Sequence, residues 1–200
     1  MEHHEAVTRH YDARAATYDR IALHRELVHV IAADLAAGPL TGLAVDVATG
    51  TGLMLRALTP VWRGERVGVD RSPGMLRVAR AALPPDVALV LADAAGLPLP
   101  DGSADLLTCV TALHLLPDPA AAFAEWRRVL RPGGHLVTAT FGPAPDAQET
   151  RRDFERRHDD YRTVEQVAAA LAPYGLTLGR HRVWALEGDE LLICSATRDP

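Results

Sequence analysis

Asp46, Gly50, Gly52, Asp70, Asp93 and His114 each stand at or just beyond the end of a short apolar run. The first three belong to Val45-Asp46-Val47-Ala48-Thr49-Gly50-Thr51-Gly52-Leu53. The apolar run Leu43 to Val47 reads as a buried strand, and Leu53, Leu55, Ala57 and Leu58 open a helical pattern directly after the glycines. Strand, glycine turn and helix together aim free backbone N–H groups and the positive end of a helix at a ligand. Gly50 and Gly52 permit a tight turn and a close backbone approach; an ordinary strand-to-helix turn is the competing reading. A dinucleotide fingerprint requires a third glycine where Leu55 stands, which speaks against a nicotinamide or flavin dehydrogenase.

Asp70 lies 20 residues after Gly50, the offset of an acid that accepts hydrogen bonds from a ribose diol. It also precedes Ser72-Pro73, where an acid would favour a helix N-terminus. Asp93 is placed to accept from an exocyclic amine such as adenine N6, or to form a turn. His114 lies where an acceptor would meet a reactive group, as base or substrate contact, or is packed at a strand end.

These residues need a frame that gathers strand ends on one edge. Val67 to Asp70, Val87 to Leu91, Ala104 to Thr111 and His135 to Thr140 read as further strands. Ser72-Pro73 and Asp118-Pro119 start helices with a cap and a proline at the first position. Strands alternating with helices, apolar almost throughout, mean a parallel sheet covered on both faces, an open doubly wound α/β layer. Ligands of such sheets bind beyond the carboxyl ends of the strands. An amphipathic helix is expected from Tyr18 to Ala37, ending at Gly38-Pro39. Residues 2 to about 18 read as a helix or an ordered arm. Arg131 to Gly134 reads as a turn, and Thr163-x-x-Gln166 as a capping box. Leu176 to Leu186 and Leu191 to Ala196 form a closing hairpin around Glu187 to Glu190, so one strand runs antiparallel.

The 200 residues suffice for one domain with a full core. A net charge of -5 argues against nucleic acid as partner. No apolar window is long enough to span a membrane. No secretory signal opens the chain and both cysteines sit in apolar runs, so a cytoplasmic setting is expected. All 21 basic residues are arginine, which removes lysine bases and Schiff-base chemistry. His3, His4 and His10, in a terminus expected to be mobile, match no zinc spacing, and no metal site is expected. The polar stretch Pro143 to Tyr161 reads as a solvated helix or loop.

Taken in order, Val-Asp46-Val-Ala-Thr-Gly50-Thr-Gly52, Gly-Val-Asp70-Arg-Ser72-Pro-Gly-Met75-Leu, Ala-Asp93-Ala-Ala-Gly-Leu-Pro, Leu113-His114-Leu and Arg128-Val-Leu130-Arg-Pro132-Gly133-Gly134 resemble class I S-adenosylmethionine-dependent methyltransferases, in their small-molecule and quinone-biosynthesis-like subgroup. The resemblance covers residues 40 to 140. It implies a Rossmann-like seven-stranded sheet, mostly parallel, with a C-terminal antiparallel hairpin. It also implies one domain: a helical cap at 1–38, a cofactor-binding core at 40–140, and a substrate-side segment with the closing hairpin at 141–200. Asp46, Ala48, Gly50 and Gly52, with Thr49, would line the methionine end of S-adenosylmethionine. Asp70 would hold the ribose, Met75 would pack on the adenine, Asp93 and Ala94 would read its edge, Val110 would lie beneath, and Arg71 would also contact the cofactor. Tyr11 and Tyr18 resemble a tyrosine region that closes over the cofactor, or are ordinary helix residues. His114 as base, with Tyr11, His158 and Tyr161, would face a small-molecule acceptor methylated on O, N or C, leaving S-adenosylhomocysteine. The short 143–161 segment implies an open or small acceptor site, or a lid lent by a partner subunit in a homodimer. A non-catalytic S-adenosylmethionine-binding accessory protein shares the same binding motifs and is the alternative.

Overall fold

A computed structural model describes residues 2–37, 41–142, 154 and 158–200. Seven strands form one sheet: β1 (Leu43–Val47), β2 (Glu65–Asp70), β3 (Ala88–Leu91), β4 (Ala104–Val110), β5 (Leu130–Phe141), β6 (Leu176–Leu186) and β7 (Asp189–Arg198). Their order is β3-β2-β1-β4-β5-β7-β6. Neighbours are parallel except around β7, which pairs antiparallel with β5 and β6. The chain builds outward from β1 to β2 and β3, then returns to place β4 on β1's other side. Strand order therefore reverses between β1 and β4, and their carboxyl ends diverge around a crevice.

Alternation along the central strands feeds two separate cores. Ala44, Leu106, Val137 and Ile193 pack beneath α2 (Ala22–Leu35) and α3 (Leu53–Leu58). Val45, Leu107, Leu136 and Cys194 face α5 (Pro119–Val129) and α6 (Val164–Leu171). Both faces are covered, so the central strands are apolar at nearly every position.

Local chemistry sets the helix starts. Ser72 accepts from the Met75 N–H and opens α4 (Pro73–Ala82), with Pro73 at its first position. Asp118 does the same for α5 through the Ala121 N–H. Thr163 and Gln166 form the expected capping box of α6.

Three boundaries differ from the sequence reading. Helix α2 begins at Ala22, not Tyr18, after α1 (Glu2–Arg14) and a 3-10 turn over Ala15–Arg20. Asp19 breaks the helix: its carboxylate accepts from the Thr51 hydroxyl and the Arg56 guanidinium, and its carbonyl accepts from Arg25. Arg131 to Gly134 continues β5 instead of turning, with the register shifting between Ala104 and Leu106. The Arg131 guanidinium, bonded to Asp105 at 2.6 Å, ties that extension to β4. The closing hairpin turns on two residues only, Glu187 and Gly188, both at positive φ, which matches the right-handed twist of its strands.

Candidate functional site

Directly after β1, Ala48 takes φ +55° and Gly50 φ +55°. A left-handed alanine is strained, and such strain persists where the surroundings hold it in place. Here the Thr49 N–H bonds to the Val69 carbonyl, and the Thr49 hydroxyl bonds to Asp46 at 2.6 Å. Asp46 also accepts from the Thr108 hydroxyl of β4 at 2.6 Å, bridging the strands that part at the crevice. It is 2% exposed, and burial lifts its carboxyl to about 6 against the opposing effect of the two hydroxyls. A Cβ added at Gly50 would meet only the Met75 sulfur, at 4.0 Å, so the loop opens onto free space. Gly52 faces the other way, where a Cβ would strike Leu83. Leu55 fills the space above Gly68 of β2, where a Cβ would lie 2.9 Å from its Cδ1. The close helix-to-strand approach of a dinucleotide fold therefore has its glycine on the strand, not at position 55.

Asp70 ends β2 with both oxygens engaged. One accepts from the Gly50 N–H at 2.7 Å, the other from the Ser72 N–H at 2.8 Å. The acid on the second strand thus holds the glycine turn of the first. Burial raises its carboxyl above the usual range, against those backbone donors. After β3, Asp93 accepts from the Ala95 N–H at 2.9 Å, as a turn aspartate does, and from the Arg71 guanidinium at 3.0 Å. The Ala94 carbonyl accepts from the Trp126 indole at 3.0 Å, which leaves the Ala94 N–H as the backbone group for a ligand edge.

These ends enclose a cleft of about 830 Å³, counted to its open mouth. Of the residues singled out from sequence, Tyr11, Tyr18, Ala48, Gly50, Asp70, Arg71, Met75, Asp93, Ala94 and Val110 line it together. Asp46 and Thr49 stand behind the loop, and Gly52 packs toward α4. His114, 4% exposed in the 3-10 turn Leu113–Leu115, sets its ring edge-on to Phe141 at 5.7 Å. Tyr161 is buried, its ring toward Phe123 and its carbonyl accepting from Thr140. Neither lines the cleft. The side chain of His158 lies outside the described residues. Among the described residues no group of three His, Cys, Asp or Glu could hold a metal.

Of the two expectations for the N-terminal residues, a mobile terminus and a helix or ordered arm, the structure shows the helix: α1 forms the roof. His3, His4, Val7, Thr8 and Tyr11 line the cleft from it. His3 Nε2 lies 3.3 Å from the Leu115 carbonyl and His4 Nδ1 3.5 Å from Asp93, so the helix bridges both rims. Asp12 fastens it to α4, accepting from the Ser72 hydroxyl at 2.5 Å and the Gly74 N–H at 2.7 Å. The spacing 4, 8, 11 places these residues on one helical face and was readable in sequence. Tyr11 was singled out from the resemblance; His3, His4, Val7 and Thr8 were not, because a polar helix with no apolar stripe does not show which face it buries.

Comparisons with known proteins agree with this geometry. Residues 45–138 match a family described as "Methyltransferase domain". The demethylmenaquinone methyltransferase of Thermus thermophilus is 41% identical over 120 residues, 57% of this chain and 54% of that one. A malonyl-[acyl-carrier protein] O-methyltransferase of Hahella chejuensis is 34% identical over 182 residues, 85% of this chain and 63% of its own length. The chain thus spans about half to under two thirds of these curated relatives. The crystal structure of an S-adenosylmethionine-dependent methyltransferase from Mesorhizobium loti superposes with a TM-score of 0.65 and 28% identity, covering 82% of this chain and 94% of that one. Residues 45–138 thus match a methyltransferase domain, and the sheet order and the strained loop at the β1/β4 crevice are those of class I S-adenosylmethionine-dependent methyltransferases.

Proposed function

We propose that this protein transfers a methyl group from S-adenosylmethionine to an O, N or C atom of a small-molecule acceptor. The observation that carries the reading is the Asp70 carboxylate, bonded to the Gly50 N–H at the mouth of the loop where strand order reverses. The residues present fit the cofactor. Gly50 leaves room for it, Asp70 offers carboxylate lone pairs to a diol, Met75 presents a thioether to a ring, and Asp93 with the Ala94 N–H matches a purine edge. When bound, the cofactor supplies a methyl group on a sulfonium leaving group. The chain's own part is to bind, align and exclude water; α1, latched through Asp12, and the 3-10 turn after it, latched through Asp19, cover the cleft for that purpose.

A dehydrogenase reading has no support in the packing, since Leu55 occupies the third-glycine position as a core residue. The acidic balance favours a small acceptor over nucleic acid. Demethylmenaquinone and malonyl-[acyl-carrier protein], named for two relatives, are the first acceptors to try. A cytoplasmic setting is part of the proposal and agrees with two buried, unpaired cysteines. So is a homodimer; a monomer mass in light scattering would remove it.

Titration calorimetry with S-adenosylmethionine, S-adenosylhomocysteine and NADH tests the reading. Binding of the first two without NADH is expected. Binding of NADH alone would overturn it.

His114 as base is a separate part of the proposal. With an acceptor in hand, His114→Ala is expected to lower turnover by about 10²-fold or more, the worth of general-base catalysis, and to leave cofactor affinity within twofold. Unimpaired turnover would return the residue to packing against Phe141.

A further inference from the structure

No helix stands between β3 and β4, although the two strands lie on opposite sides of β2 and β1. Beyond its own tight turns, the backbone of residues 92–103 must therefore find hydrogen bonds elsewhere. One stretch of α5 supplies them. The Trp126 indole donates to the Ala94 carbonyl at 3.0 Å, and the Glu125 carboxylate accepts from the Leu97 N–H at 2.7 Å. The Arg128 guanidinium donates to the Leu97 carbonyl at 3.1 Å, the Leu99 carbonyl at 2.9 Å and the Asp101 carboxylate. Its backbone carbonyl accepts from the Gly102 N–H at 2.8 Å. The loop is thus held along its length from Ala94 to Gly102.

The parts of this clasp are themselves fixed. Trp126 is fully buried, its ring edge-on to Phe123 at 5.3 Å. Glu125 grips Arg128 at 2.7 and 2.8 Å, a two-point pair that sets the guanidinium plane. Bonding to Arg128 holds the Glu125 carboxyl below its usual range, so it stays charged toward the Leu97 N–H. None of the three lines the cleft, whereas Asp93 and Ala94, at the near end of the loop, do. There the Asp93 carbonyl accepts from the Gly96 N–H at 3.1 Å and its carboxylate from the Ala95 N–H at 2.9 Å. The acid and the Ala94 amide therefore share one tight turn, pinned from the core side by Trp126. An acceptor and a donor in fixed relation match an amine beside a ring nitrogen, the edge of adenine. They mismatch a 6-oxo purine, whose oxygen would face the carboxylate and whose ring N–H would face the amide.

We propose that Trp126, with Glu125 and Arg128, is the positioning element that makes the cleft select adenine over a 6-oxo purine. These residues act through the loop and touch no ligand. The inference rests on the methyltransferase reading, with Asp93 and Ala94 as its adenine edge, and adds the residues that set base specificity from outside the cleft. A slack loop would still leave a nucleoside site, because Asp70 and the Gly50 turn belong to other strands. It would lose the ability to tell the two purines apart.

The probe is S-inosylhomocysteine, the analogue of S-adenosylhomocysteine with an oxygen in place of the purine amine. Dissociation constants for both ligands are measured by calorimetry on wild type, Trp126→Phe, Arg128→Lys and Arg127→Ala, with folding checked by thermal melting. Wild type is expected to prefer the adenine ligand by about 10²-fold or more, since the analogue leaves two polar groups mispaired. Trp126→Phe, which keeps an aromatic ring in the core and removes the donor, should cut that preference about 5- to 10-fold, the worth of one hydrogen bond. Arg128→Lys keeps the charge and loses the fork that spans two carbonyls, and should cut it to a similar extent. Arg127→Ala should leave it unchanged, because the Arg127 guanidinium reaches the Asp199 carbonyl instead. Should Trp126→Phe fail to fold, Arg128→Lys decides. Clasp variants that weaken both ligands equally, or neither, overturn this inference alone. Wild type that binds the two ligands alike overturns the adenine edge with it; wild type that binds neither overturns the methyltransferase reading as well.

Discussion

Replacing Asp70 with alanine is expected to weaken S-adenosylmethionine binding by about 1.5–3 kcal/mol, the worth of hydrogen bonds to a charged group, or roughly 10- to 150-fold in Kd. The loss has two sources in the structure. The carboxylate is the cleft's acceptor for a ribose diol, and it also holds the Gly50 N–H at 2.7 Å and the Ser72 N–H at 2.8 Å. Without it the glycine turn loses its brace as the ligand loses its contact. Asp70→Asn should fare little better, because its amide would turn a donor toward one of two backbone donors. Since burial raises the Asp70 carboxyl, affinity should begin to fall on acidification sooner than an ordinary carboxylate would cause. Calorimetry reads all three effects. Unchanged affinity in Asp70→Ala would remove the ribose assignment while leaving the fold intact.

The second large effect is on stability and comes from Asp46. Its carboxyl lies at about 6 in the folded chain against 3.8 as a free side chain, chiefly because it is buried. Between those values the folded state holds a proton that the unfolded state has released. Stability therefore falls as pH rises through the window from about 4 to 6, and above it stays lower by about 3 kcal/mol. Asp46→Asn removes the titration and keeps the contacts. Its carbonyl accepts from one of the Thr49 and Thr108 hydroxyls, and its amide donates to the other, whose hydrogen rotates away. The variant is expected to match or exceed wild type above pH 6 and to lose that advantage near pH 4. Asp105 and Glu125, lowered in the folded state, contribute with the opposite sign. They are common to both proteins and cancel in the difference. Denaturant melts of the pair from pH 4 to 8 decide the matter; parallel curves would show that Asp46 does not titrate there.

The cleft's floor was legible in sequence because each part carries a short-range signal. Gly50, Asp70 and Asp93 follow apolar runs at offsets a parallel sheet requires. Ser72-Pro73, Asp118-Pro119 and Thr163-x-x-Gln166 announce helix starts through their own backbone hydrogen bonds. Strand composition alone distinguished a sheet covered on both faces, and the terminal hairpin revealed the antiparallel strand.

The roof was not legible, since what holds it is long-range. Asp12 reaches across 62 residues to the Gly74 N–H, and Asp19 across 32 to the Thr51 hydroxyl. Neither pairing leaves a pattern in its own neighbourhood, so α1 read as a helix or ordered arm with nothing to fix where it docks, and Tyr18 as the start of a helix it precedes. The same reason separates Asp46 from Asp70. Each ends or nearly ends a strand, and sequence offers both to the ligand. Residue 46 falls one place short of the strand's end, in register with Gly68 and Thr108, so its side chain is enclosed between sheet neighbours. Asp70 is the last residue of β2 and emerges at the edge. His114 and Tyr161 likewise differ from Tyr18 only by what the fold packs over them. Residue type and spacing determined the sheet, the glycine turn and the acids that meet there. Which side chains face the cleft and which brace it was decided by register and by contacts between distant segments, because burial depends on everything brought alongside a residue and not on the residue itself.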